Sequence, residues 1–117
     1  MASETWFDSE VRPDELELSR PRFVRAPWGS FALYGSAEDF VCAEAFCPHM
    51  EGPLFEGTCT DGTITCPWHR WRYRLDTGER VDERSTPMPE SRPLVRCKTR
   101  IGDAGTILVC APTEQAT

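Results

Sequence analysis

The chain's only two histidines each close a short hook that begins with a cysteine. These are Cys47-Pro48-His49 and Cys66-Pro67-Trp68-His69, with residues 50–65 between them. Two thiolates and two imidazoles placed this way form one four-ligand set only if the hooks fold back onto each other. The intervening residues suit that demand. Gly52-Pro53-Leu54, Gly57 and Asp61-Gly62 are turn formers, so the ligands are expected on sharply bent loops carried by a rigid scaffold. Cysteine with histidine serves zinc or an iron–sulfur centre, and the residue types alone leave both open.

The rest of the sequence predicts an all-β scaffold. Ten prolines and eight glycines are scattered through 117 residues, and no long segment keeps a 3.6-residue apolar rhythm. Strand-like runs recur instead: Glu15–Leu18, Arg22–Arg25, Ser30–Tyr34, Asp39–Ala43, Thr63–Thr65, Arg72–Leu75, Leu94–Cys97 and Thr106–Val109. Gly35-Ser36 reads as a hairpin turn, Asp76-Thr77-Gly78 as a second turn, and Gly102–Gly105 as a closing hairpin loop. Short strands with regular turns make an antiparallel sandwich or small barrel. The segments before about Asp14 and after Pro112 are expected to be loosely held.

Composition limits the function classes. The length suits one small domain with a real core. A net charge of −6 disfavours nucleic acid or an anionic membrane as partner and suits docking to a basic patch on another protein. No apolar run approaches the ~18 residues a membrane span needs. Met1–Thr5 shows no basic start of a secretory signal, so a cytoplasmic protein with reduced thiols is expected. Cys42, Cys59, Cys97 and Cys110 are then buried free thiols. The acidic pairs Glu38-Asp39 and Asp82-Glu83 read as solvated turns, and no catalytic residue is assigned.

The hooks and their surroundings resemble the Rieske-type ferredoxin family and the Rieske domains of ring-hydroxylating oxygenases. The resemblance runs through Cys47-Pro48-His49, Leu54, Gly57, Gly62, Cys66–Tyr73 and Thr77-Gly78, and covers about Arg22 to Val109. It implies an antiparallel β sandwich with a small cluster-binding subdomain. It also implies a [2Fe–2S] cluster with Cys47 and Cys66 on one iron and His49 and His69 on the other. Pro87-Met88-Pro89 and Pro93-Leu94 resemble the loop that shields the cluster from water. The chain as a whole reads as one Rieske domain over 1–117, with a base of about 14–45 and 79–112 and a cluster subdomain of about 46–78.

Departures from the family pattern carry expectations of their own. Glu51 and Arg70 stand where the family usually has glycine, so a positive φ at either site would cost energy; an Arg70–Glu51 pair is expected near the tip. Gly52 and Trp68 occupy the places of the extra disulfide-forming cysteines of respiratory Rieske proteins, so that bridge cannot form. Trp71 replaces a serine donor, which predicts a low-potential centre. Tyr73 stands where high-potential members carry a tyrosine donor and works against that prediction, unless it merely packs the core. Trp68 is expected to pack over the cluster.

By the resemblance, the chain carries single electrons from a flavin-dependent reductase to a terminal oxygenase. An accessory subunit resembling the small subunit of nitrite reductases is the alternative, and a structural zinc module the third reading. A mononuclear oxygenase iron would need two further histidines and a carboxylate, and both histidines are committed.

Overall fold

Among the described residues, a six-stranded and a four-stranded antiparallel sheet enclose one core, and the larger sheet carries a second core on its other face. A computed structural model describes residues 5–48, 52–68 and 70–111. The strands are β1 Trp6–Asp8, β2 Arg22–Ala26, β3 Gly29–Ser36, β4 Asp39–Glu44, β5 Thr58–Thr60, β6 Thr63–Thr65, β7 Arg72–Arg74, β8 Arg80–Val81, β9 Arg96–Ile101 and β10 Ile107–Cys110. The large sheet has the order β1-β10-β9-β4-β3-β2, and a four-stranded meander β5-β6-β7-β8 is inserted between β4 and β9. Among the described residues, no helix is long and apolar enough to cross a membrane.

β3 explains the layering. Phe31, Ala32, Leu33, Tyr34 and Gly35 are all buried, which requires cover on both faces of the strand. Ala32 and Tyr34 join Leu54, Cys59, Ile64, Tyr73, Leu75 and Leu94 in a core between the sheets. Phe31 and Leu33 point the other way, into a core with Val24, Cys42, Cys97, Ile107 and Val109. Each successive residue therefore serves a different core.

Several sequence expectations are corrected here. Glu15–Leu18 is not a strand: a 3-10 turn spans Pro13–Glu15, and Leu16 is 7% exposed while Leu18 is 51% exposed. A strand would put both leucines on one face. The β3–β4 hairpin turns at Ala37-Glu38, since Ser36 pairs with Asp39. Gly35 lies within β3 at φ +121, and a Cβ there would collide with the Asp39 carbonyl. The segment before Asp14 is anchored, with Phe7 paired to Val109 and Val11 buried. The ninth strand starts at Arg96 rather than Leu94; Val95 instead donates its N–H to the Glu44 carboxylate at 2.8 Å.

Candidate metal centre

The first hook leaves β4 and is folded by its own backbone. The Cys47 N–H donates to the Gly52 carbonyl at 2.8 Å, and Leu54 N–H donates to the same oxygen. Phe46 bridges Pro53, so the loop closes on itself and returns beside its start. In the second hook the Cys66 N–H donates to the Trp71 carbonyl at 2.8 Å, and Arg70 N–H donates to the Cys66 carbonyl at 2.9 Å. These bonds satisfy backbone groups that would otherwise be stranded near a buried site.

The structure brings Cys47 and Cys66 together. Both are buried, at 1% and 0% exposure, in the core between the sheets. Gly52 links the loops: a Cβ built on it would lie 3.1 Å from Cys66 Sγ and 3.0 Å from the Trp68 ring. The absence of a side chain at 52 therefore leaves the space beside the second sulfur open. His49, Glu51 and His69 lie outside the described residues, as does the expected Arg70–Glu51 pair. The two sulfurs fit an iron–sulfur centre: two buried soft donors from separate loops, with a hydrogen-bond donor aimed at one of them.

That donor is Tyr73, whose hydroxyl is 3.3 Å from Cys47 Sγ. Burial, then the contact with Cys47, pushes its pKa far above the ordinary value, so the phenol keeps its proton and would donate to the sulfur of a metal-bound Cys47. Tyr73 is thus both core and ligand partner. β7 sets its position, pairing Tyr73 with Ile64 on one side and Arg80 on the other. The Arg80 guanidinium stacks on Trp71, 3.2 Å from the ring centroid, and its Nη1 donates to Ser91 Oγ at 3.1 Å. Neither Arg80 nor Ser91 was visible as a site residue in the sequence, because only the β7–β8 register places them here.

The rim has a cation and exposed aromatic surface. Arg92 grips Glu44 through two bonds of 3.1 and 3.0 Å, and this pairing raises the Arg92 pKa. Arg92, Glu44, Phe46 and Pro48 line a shallow cavity against Cys47. Trp68 packs on Gly52 but is 61% exposed, so the expectation that it packs over the site is only half met. Arg70 adopts φ +61, the left-handed region favoured by glycine. The strain expected at that departure is present.

With this geometry in hand, sequence comparisons place the chain. The Rieske [2Fe–2S] domain family matches residues 8–97. The chain belongs to the Rieske [2Fe–2S] family, and its cofactor is a Rieske-type [2Fe–2S] cluster. It is 33% identical over 81 residues to the methanesulfonate monooxygenase ferredoxin subunit of Methylosulfonomonas methylovora, covering 68% of this chain and 62% of that one. It is 32% identical over 68 residues to human (Homo sapiens) apoptosis-inducing factor 3, covering 58% of this chain but 11% of that protein. The chain thus spans a small part of some curated relatives.

The fold is shared with solved structures. A chain from the complex of reduced oxygenase and oxidised ferredoxin in carbazole 1,9a-dioxygenase superposes with a TM-score of 0.76 at 21% identity, covering 95% of this chain and 97% of that one. A putative NADH-dependent nitrite reductase small subunit from Mycobacterium tuberculosis gives 0.74 at 18% identity, covering 94% and 97%.

Proposed function

We propose that this chain is a one-electron carrier in which Cys47 and Cys66 hold one iron of the cluster and His49 and His69 the other. Electrons would pass from a flavin-dependent reductase to a terminal oxygenase. The observation that carries this reading is the pair of buried cysteine sulfurs, delivered by separate loops, with the Tyr73 hydroxyl on Cys47 Sγ. When bound, the cluster supplies a single-electron acceptor whose charge, with two thiolates and two neutral imidazoles, falls from zero to −1 on reduction.

The protein's own part is electrostatic and steric. Tyr73 donates to a ligand sulfur, and such a bond strengthens as that sulfur becomes more electron-rich. The Arg80 cation, opposite Tyr73 in the ladder, favours the more negative state. Leu54 and Leu94 share the buried core of the two cysteines, with Trp71 packed against it, and a dry core makes both effects larger than in solvent. The same proposal treats the chain as a single Rieske domain, with its cluster subdomain near 46–78, working in the cytoplasm.

Likeness to an oxygenase ferredoxin subunit in sequence, and to the carbazole system in fold, supports an oxygenase as electron acceptor. The nitrite reductase small subunit fits the fold nearly as well, so a reductase subunit is the second reading. Reconstitution separates them. A reductase, this chain and a Rieske oxygenase are combined and product formation is measured. Turnover that requires this chain and is lost with Cys66→Ser supports the carrier. A chain that isolates only in a tight complex with a reductase, and reduces no oxygenase, supports the second reading.

A further inference from the structure

Outside the cluster site, one pair of nucleophilic side chains is built into the fold. Cys42 on β4 and Cys97 on β9 are direct partners across the antiparallel ladder. Partners in such a ladder place their side chains on the same face, and both cysteines belong to the same buried core. The two thiols perturb each other, raising the pKa of Cys42 and lowering that of Cys97. Both are free.

The ladder fixes their reach. Glu44 N–H donates to the Val95 carbonyl, so two residues along, Cys42 and Cys97 again form a hydrogen-bonded pair. Such pairs hold their Cα atoms about 5.5 Å apart, inside the roughly 4.4–6.8 Å that a disulfide spans. No large backbone movement is needed to join them.

The location gives the pair a consequence. β4 is the strand that leads into the cluster-binding insertion and β9 is the strand that receives the chain on its return. The segment from residue 43 to residue 96 contains Cys47, His49, Cys66 and His69. The two strands meet over a short seam, where only Cys42↔Cys97 and Ala43↔Arg96 are paired. This seam also joins the β1-β10-β9 half of the large sheet to the β4-β3-β2 half. A short ladder opens locally at lower cost than a long one, and such an opening is the route a small oxidant would take.

We propose that Cys42 and Cys97 form a reversible disulfide site, closed by a low-molecular-weight disulfide as oxidant, that clasps the base of the cluster-binding insertion. Cys97 is the attacking member: it is 8% exposed against 0% for Cys42, and its neighbour Cys42 lowers its pKa while that of Cys42 is raised. The Cys97 thiolate attacks one sulfur of the oxidant, expels one small thiolate, and is left as a mixed disulfide. Cys42 then gives up its proton and attacks Cys97 Sγ, expelling the second. Two protein thiols are oxidised, one small disulfide is reduced to two thiols, and the cysteine protons end on the leaving thiolates.

The test uses the cluster-loaded protein equilibrated anaerobically with bis(2-hydroxyethyl) disulfide, then alkylated under denaturing conditions and digested without reductant. The expected result is a peptide joining the segments that carry Cys42 and Cys97, with the visible spectrum of the cluster retained. The link reverses with dithiothreitol, and the clasped form unfolds at higher denaturant concentration than the reduced form. Cys97→Ser abolishes the link and leaves Cys42 open to alkylation. Recovery of Cys42 and Cys97 as separately alkylated thiols from the treated wild-type protein overturns the proposal, as does a link that forms only among Cys47 and Cys66 after the cluster is lost. Both outcomes are read on the wild-type chain, so a variant that fails to fold does not protect the idea.

Discussion

Removing the Tyr73 hydroxyl isolates the donor beside Cys47 Sγ. In Tyr73→Phe the ring remains to fill the core between the sheets, while the 3.3 Å contact with Cys47 Sγ disappears. A hydrogen bond to a charged group is worth about 1.5–3 kcal/mol. Only the part that differs between oxidised and reduced states moves the potential. If a third to a half is differential, about 1 kcal/mol is lost from the reduced state, and at ~59 mV per tenfold for one electron this is about 40 mV. The variant's potential should therefore lie lower by roughly 40 mV, within about a factor of two. Because burial keeps the phenol protonated, the decrement should be the same at neutral and mildly alkaline pH. Spectroscopically monitored titration of both proteins provides the assay. An unchanged potential, or a rise, would refute the assignment of Tyr73 as a donor and leave it as packing alone.

Other substitutions probe the loops. Gly52→Ala puts a methyl group 3.1 Å from Cys66 Sγ and 3.0 Å from the Trp68 ring, closer than van der Waals contact. It should lower iron and sulfide content per chain, and full occupancy would show that the loops yield freely. Arg70→Gly relieves a left-handed residue, a gain of about 1–2 kcal/mol set against roughly 0.5–1 for glycine's extra chain entropy. A rise in denaturation midpoint equivalent to about 0.5 kcal/mol is expected; a fall would show that the Arg70 side chain makes a stabilising contact. Asp82 accepts N–H bonds from Thr86 and Arg84 at 2.9 and 2.8 Å, which lower its pKa from 3.8. A folded pKa below the unfolded one means its stabilisation is present above the unfolded value and lost as pH falls through the folded value. Asp82→Asn should thus be less stable than wild type at neutral pH and converge with it only as pH falls through the folded value, below 3.8. A difference that persists in acid would assign the effect to something other than charge.

Six strands and the cysteine ends of the two hooks were legible because their signals are local. β2, β3, β4, β6, β7 and β10 fall where apolar or β-branched runs predict them, and each hook carries its chemistry in a few adjacent residues. The misses have a common physical origin. Trp6–Asp8 and Arg80–Val81 are too short to show a period, and each becomes a strand only through a distant or neighbouring partner, Val109 for Phe7 and Tyr73 for Arg80. Arg96–Ile101 is a polar run, yet β10 on one side and β4 on the other make it a central strand. Local alternation misled at Glu15–Leu18, where Pro13 opens a turn instead. In the site, the sequence leaves Tyr73 open between packing and donor, and the geometry gives it both roles. The Arg80–Trp71 stack and the Glu44–Arg92 grip depend on register between segments remote in the chain, which no local pattern encodes.

The central claim is that Cys47, Cys66, His49 and His69 hold one two-iron cluster. Its most direct test is low-temperature electron paramagnetic resonance of the anaerobically purified protein after dithionite, with iron, sulfide and zinc analysis of the same sample. A red-brown protein with equal iron and sulfide is predicted, whose reduced form has an average g below that of all-cysteine clusters and whose signal is lost in His49→Cys and His69→Cys. A colourless protein carrying zinc, or a reduced spectrum of the all-cysteine type, would contradict it.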